Sequence, residues 1–176
     1  MRAIARYITN GYGECCDCRK LLGKYVLDCK YDQAGDVLQH LYGPLKLPVN
    51  WSAPASNVYT LKQEEYAPHG SKWSTLQMRT TGFAYVPTGC HGSQLTSCRV
   101  HLHYHGCGQG DKMPDNMIGY NQWAEANNIV VVYPLSAPAL GNLLGCWDWW
   151  GATGKDFDTK QGGQLATVRT QSVSTS

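Results

Sequence analysis

The chain has 176 residues, 43% of them hydrophobic and 16% charged, with a formal net charge of +2. That is enough length and apolar content for one globular domain with its own core, and it excludes a disordered chain. The basic residues are scattered and form no stripe, so nucleic acid is not an expected partner. The longest purely apolar run, Ile129 to Tyr133, falls far short of the roughly 20 residues that span a bilayer, so no membrane partner is expected either.

Eight cysteines fall in two groups, Cys15, Cys16, Cys18 and Cys29, then Cys90, Cys98, Cys107 and Cys146. An even, high count reads as disulfides formed in a secreted, extracellular or lumenal setting. Asn50-Trp51-Ser52 is a glycosylation acceptor pattern that agrees with it. Yet Met1 to Tyr7 contains no apolar signal region. The expectation that reconciles the two is a chain that begins partway through a longer precursor.

Residues 1–30 are rich in Cys, Gly and charge and read as a stapled loop. Asp32 is a good helix N-cap, Ala34, Val37, Leu38 and Leu41 follow at helical spacing, and Gly43-Pro44 stops the helix. Leu45 to Gln77 reads as irregular, with one or two edge strands. Thr81 to Pro87 alternates like a strand that proline ends. Cys90 and Cys98 flank a polar turn, and Arg99 to His105 is a second strand. Gly119 to Asn127 predicts an amphipathic helix with Tyr120, Trp123, Ala124 and Asn127 on one face. The β-branched run Ile129 to Pro134 reads as a strand buried on both faces. Strand, helix, buried strand is the rhythm of a parallel βαβ unit, so the fold class is α/β. A last helix begins near Gly163 and runs to Val168, and the polar tail Thr170 to Ser176 makes it look cut short.

Four groups of residues bear on chemistry. His101, His103 and His105 share one face of their strand by the period of 2. They suit either a zinc site or packing beside a loop, and no further ligand is identifiable for zinc. The cluster Cys15-Cys16-x-Cys18 with Cys29 has poor spacing for zinc, and Cys18 with Cys29 is the preferred local disulfide. His105-Gly106-Cys107-Gly108-Gln109 ends a strand in a Gly-rich turn, where backbone N–H groups stabilise a developing oxyanion in acyl transfer, or simply make a tight turn. Cys146-Trp147-Asp148-Trp149-Trp150-Gly151 puts three tryptophans in a loop, either as a ligand platform or as a local aromatic core. A serine nucleophile in Gly-x-Ser-x-Gly is missing: none of the ten serines has glycine two residues before and two after. Ser71 and Ser93 lie in polar loop sequence with no preceding strand.

The string His101-x-x-x-His105-Gly106-Cys107-x-Gln109, then Gly119-Tyr120-Asn121-x-Trp123-Ala124-x-x-Asn127-Asn128-Ile129-x-Val131-x-Tyr133-Pro134, then Gly145-Cys146-Trp147-Asp148-Trp149, closely resembles the C-terminal half of secreted polyhydroxybutyrate (PHB) depolymerases. These are serine esterases of the circularly permuted α/β-hydrolase type. Cys29-x-Tyr31-Asp32-x-Ala34-Gly35, Leu41-Tyr42-Gly43 and Thr81-Gly82-Phe83-x-Tyr85-Val86-Pro87 resemble the same family, and the match runs over about residues 8–168. The resemblance implies an incomplete, disulfide-stapled α/β-hydrolase sheet, with residues 31–176 its C-terminal part and residues 1–30 a Cys-rich segment of the same single domain. It implies hydrolysis of short-chain hydroxyacid polyesters or small esters by Ser, His and Asp, with no cofactor and no metal.

In that family all three catalytic residues precede the part seen here. The family's histidine counts back to about Ala5, so no triad residue is present. What carries over is the Cys107 backbone N–H as an oxyanion donor, a Cys107–Cys146 bridge, a Cys90–Cys98 bridge, and Trp149 at the substrate crevice. His105, Gly106 and Trp147 are expected beside it. His103 stands where the family usually has a small apolar residue, which makes the three-histidine row look accidental. The expectation is a fragment or truncated esterase that is inactive alone, or else a non-catalytic module that binds polymer or a partner. Exposed sheet edges would favour self-association.

Overall fold

A computed structural model describes residues 7–8, 16–17, 26–28, 31–49, 51–110 and 119–174. Near the N-terminus, β1 (Tyr7–Ile8), β2 (Cys16–Asp17) and β3 (Val26–Asp28) form a small parallel sheet in the order β1-β3-β2. These strands replace part of the expected stapled loop. Strands of two or three residues are too short for an alternating pattern to register in sequence. Cys15, Cys18, Cys29 and Asn50 lie outside the described residues.

The helix expected after Asp32 is α1 (Gln33–Tyr42). The Asp32 carboxylate accepts from the Gly35 N–H at 2.9 Å and from the Trp123 indole N–H at 2.8 Å. One side chain therefore caps α1 and ties it to the next helix. Gly35 lies so close to Trp123 that a Cβ there would sit 2.6 Å from the ring. Ala34 and Leu38 face the core, whereas Leu41, expected to join them, is exposed.

The main sheet has the order β4-β5-β7-β6, made by β4 (Val58–Lys62), β5 (Thr81–Tyr85), β6 (Arg99–Leu102) and β7 (Ile129–Tyr133). β6, α2 (Tyr120–Asn127) and β7 form the expected βαβ unit, with β6 parallel to β7. β5 and β4 extend the sheet antiparallel, so the sheet is mixed. The irregular stretch does yield its edge strand, β4.

The β7 pattern of five buried residues follows from its central position. Ile129, Val131 and Tyr133 pack with Leu38, Tyr120, Trp123 and Ala124 beneath α1 and α2. Val130 and Val132 pack on the opposite face against Cys90 and Cys98, which are bonded to each other as the family resemblance implied.

The last helix, α3, is Gly163–Ser174, longer than the expected stop at Val168. The hydroxyls that made the tail look non-helical instead bond backward along it. Thr167 donates to the Gly163 carbonyl at 2.7 Å, Thr170 to Ala166 at 3.0 Å and Ser172 to Arg169 at 2.7 Å. Val168 and Gln171 are fully buried beneath it.

Candidate active site

The segment leaving β6 carries the histidine row. β6 ends at Leu102, so only His101 lies within it, yet the alternation continues: His101, His103 and His105 are all buried while Tyr104 is exposed. His101 stacks on Tyr120 at 5.5 Å between ring centroids, and His103 lies 4.4 Å from the same ring. Burial lowers the His101 pKa from 6.5 to about 4. Burial, reinforced by the neighbouring His101 and His103–His105 repulsion, lowers that of His103 to about 3. Among the described residues no three His, Cys, Asp or Glu side chains converge in a metal-ligating group.

His105 is a strut. The Ser136 backbone N–H can only donate, and it lies 3.0 Å from His105 Nε2. That nitrogen is therefore the acceptor, the proton sits on Nδ1, and Nδ1–H donates to the Gly106 carbonyl at 2.8 Å. The Ser136 hydroxyl in turn donates to the Gly145 carbonyl at 2.5 Å. The strand end, the segment after β7 and the tryptophan loop are thus joined around one imidazole.

The following turn closes on itself. Gly106 N–H donates to the buried Gln109 side chain at 2.6 Å, and Gln109 N–H returns to the Gly106 carbonyl at 3.1 Å. Gly108, at φ 74°, uses a conformation that favours glycine, and its N–H donates to the Leu144 carbonyl at 2.6 Å. Cys107 is disulfide-bonded to Cys146 with 4.2 Å between Cα atoms. Its own N–H donates to no acceptor among the described residues. One free donor at the head of a turn whose other N–H groups are committed is what half of an oxyanion hole requires.

The loop opposite is held by two side chains that sequence reasoning passed over. Asn142, almost fully buried, accepts from the Cys146 N–H at 2.8 Å and donates to the Cys146 carbonyl and to Gln77, both at 2.9 Å. Asp148 gathers the next turn: Oδ1 accepts from the N–H groups of Trp150, Gly151 and Ala152 at 2.9–3.1 Å. Oδ2 accepts from the Thr153 N–H and hydroxyl, each at 2.7 Å. Burial alone would raise the Asp148 pKa, but these bonds outweigh it and hold the carboxyl below its ordinary value. An Asp two to five positions before a run of small residues and a Thr is the sequence signal for such a loop.

The three tryptophans part company. Trp147 turns inward, edge-on to Tyr104 at 5.0 Å and 5.4 Å from His105, and its buried indole N–H has no acceptor among the described residues. Trp149 is 74% exposed and meets Trp150 edge-on at 5.5 Å. Those two rings, with Leu143, Leu144 and Cys146, wall an open apolar cleft of about 400 Å³. The leucines of 140–144, nearly all in solvent, were not singled out from the sequence, although apolar residues in a loop carry that signal.

No family model matches the chain. It is 38% identical over 167 residues to a poly(3-hydroxybutyrate) depolymerase of Delftia acidovorans, a match covering 92% of this chain and 32% of that protein. It is 33% identical over 175 residues to a polyhydroxybutyrate depolymerase of Talaromyces funiculosus, covering 90% and 49%. A solved PHB depolymerase, a serine-to-alanine variant complexed with an R3HB trimer, superposes with a TM-score of 0.79 at 31% identity, over 97% of this chain and 56% of that one. The PHB depolymerase of Penicillium funiculosum superposes with a TM-score of 0.77, over 97% and 55%. The chain is a relative of the PHB depolymerases.

The likeness to those depolymerases extends over nearly the whole of this chain but only a third to just over a half of theirs. The mixed sheet with its covering helices and two disulfides is the corresponding part of the depolymerase α/β-hydrolase fold.

Proposed function

We propose that this chain is the substrate-binding and anion-stabilising portion of an extracellular PHB depolymerase-type carboxylic ester hydrolase, without a nucleophile of its own. The observation that supports this most is the pairing of the uncommitted Cys107 N–H with an apolar cleft, through the Cys107–Cys146 bridge. A polyester of hydroxyacids presents alternating carbonyls and methyl-bearing carbons. The cleft offers apolar walls for the latter, and Cys107 offers a donor for the oxyanion that forms at the former. Trp149 is the substrate platform in this reading, and Trp147 and His105 position it from behind. Two disulfides in the fold suit an oxidising, extracellular setting.

A second reading is a binding module for polymer without hydrolysis. The exposure of Leu140, Leu143, Leu144 and Trp149 favours it, because soluble domains seldom leave so many large apolar side chains together in water. Both readings meet in one experiment. The purified chain is expected to adsorb to PHB granules, to lose most of that binding in Trp149→Ala, and to hydrolyse p-nitrophenyl butyrate no faster than a heat-denatured control. Turnover abolished by a fluorophosphonate would show that a nucleophile is present after all. Undiminished granule binding by Trp149→Ala would remove the cleft from the assignment.

A further inference from the structure

We propose that Gln77 is a positioning residue for the apolar cleft: its side chain, carried on strained backbone, holds the leucine wall in register with the tryptophan wall. The proposal rests on the polymer-binding role argued above and deepens it by naming what sets the width of the cleft.

Leu143 and Leu144 form one wall of the cleft, and Cys146, Trp149 and Trp150 form the other. Asn142 spans the two with its carboxamide. The Cys146 N–H can only donate, so Asn142 Oδ1 faces it at 2.8 Å, and Asn142 Nδ2 donates to the Cys146 carbonyl at 2.9 Å. The second hydrogen on Nδ2 goes to Gln77 at 2.9 Å, so the Gln77 atom at that point is its side-chain oxygen. Asn142 lines the cleft, yet both its donor hydrogens are spent on the protein. Its part is to clamp the walls, and Gln77 fixes how the clamp is turned.

The backbone of Gln77 makes this contact costly. Among the described residues three that are not glycine take a positive φ: Trp51, Gln77 and Asn128. Asn128 is the C-cap of α2, a place where asparagine is at home in the left-handed region. Gln77, at φ 51°, ends no helix. A residue stays in such a conformation only where its surroundings over-determine it. Here the Gln77 carbonyl accepts from the Ala137 N–H at 2.7 Å, Met78 bridges to Ser136, and the Leu76 carbonyl accepts from Gln164 at 2.8 Å. Gln164 in turn holds the Asp148 N–H at 2.9 Å. Residues 76–78 therefore reach both walls, one through Asn142 and the other through Gln164 and Asp148. Glycine would relieve the backbone at position 77 but could not touch Asn142. A glutamine in a glycine-like conformation therefore points to a use for its side chain.

The test separates wall order from stability, because the two should move in opposite directions. Gln77→Gly removes both the strain and the contact. Gln77→Asn suits the left-handed backbone but is one methylene too short to reach Asn142. Both variants are expected to melt no lower than the wild type, to exchange the Cys146 amide hydrogen about fivefold faster, and to bind PHB granules about fivefold more weakly, the worth of one net hydrogen bond. Gln77→Glu keeps an acceptor at the same reach and is expected to bring exchange and binding back toward the wild type. Unchanged exchange in Gln77→Gly, faster exchange without weaker granule binding, a melting temperature that falls in step with the loosened wall, or a Gln77→Glu variant as loose as Gln77→Gly would each overturn the positioning role. Faster Cys146 exchange in the variants of a chain whose wild type binds no granules would uphold the clamp and count instead against the polymer-binding reading of the cleft.

Discussion

Asp148 controls more of the candidate site than any residue that touches the cleft. Its carboxylate accepts five hydrogen bonds from the four residues Trp150 to Thr153, and its own N–H is held by Gln164 of α3 at 2.9 Å. The rigid turn so formed presents Trp149 and Trp150 to solvent. Asp148→Ala leaves these donors to water and frees the turn. PHB-granule binding is expected to weaken on the order of tenfold, about one well-made charge-assisted hydrogen bond. Asp148→Asn keeps the acceptor for Trp150 to Ala152 and loses the pair from Thr153, so its loss should be intermediate. Because the folded-state pKa is depressed, the carboxylate's contribution is complete above the ordinary carboxyl range and disappears as pH falls through the lowered value. Tryptophan fluorescence anisotropy across an acid titration follows the loop directly. A loop that stays rigid in Asp148→Ala would show that the disulfide alone orders it.

At the scale of elements, the exit of β6 carries an acid liability. His101 and His103 are buried neutral, with pKa values pulled down from 6.5 to about 4 and about 3. The unfolded chain binds protons first, so their share of stability is present above pH 6.5 and is lost as the pH falls toward 3. Among the described residues the aromatic rings that face them are those of Tyr42, Tyr120 and Tyr133, none of them an anion at these pH values. His103→Val is therefore expected to flatten the fall of the urea midpoint between pH 6.5 and 4, and a slope equal to the wild type's would refute this. The same stretch shows how far the sequence was legible. The βαβ unit could be read because a central strand must be apolar on both faces and the helix between carries a 3.6 period. The antiparallel direction of β4 and β5 could not, since an alternating strand has the same pattern in either direction. The end of α3 was hidden because Ser and Thr lower helix propensity on average, yet here they bond their own preceding turn. The row of histidines was legible as a row, but the strut role of His105 depends on Ser136, 31 residues away. The three tryptophans looked alike in sequence; only tertiary packing, which sets Tyr104 against Trp147 and leaves Trp149 mostly in solvent, separates them.

At the scale of the whole molecule, two loops distant in sequence build the site, and neither contributes to the sheet. What joins them is Cys107–Cys146, closing a span of 39 residues, together with the Gly108–Leu144 bond and the Ser136–Gly145 bond. The enclosed span contains α2 and β7, the centre of the core, so the bridge also shortens the chain's reach in the unfolded state. Loop-closure entropy for such a span gives about 3–4 kcal/mol. The Cys107→Ser, Cys146→Ser double variant is thus expected to lose about that much in urea unfolding, while the Cys90–Cys98 bridge, closing only 8 residues, contributes less. Since the clusters packed on the two faces of β7 include no residue of either loop, the variant should still fold, and limited proteolysis should first cut between Pro138 and Thr153. Granule binding should fall together with that protection. If binding and loop protection survive removal of the bridge, then Asn142 and Asp148 suffice to build the cleft. The disulfide would then serve the fold's stability alone, and the coupling proposed between the Cys107 turn and the tryptophan wall would have to be abandoned.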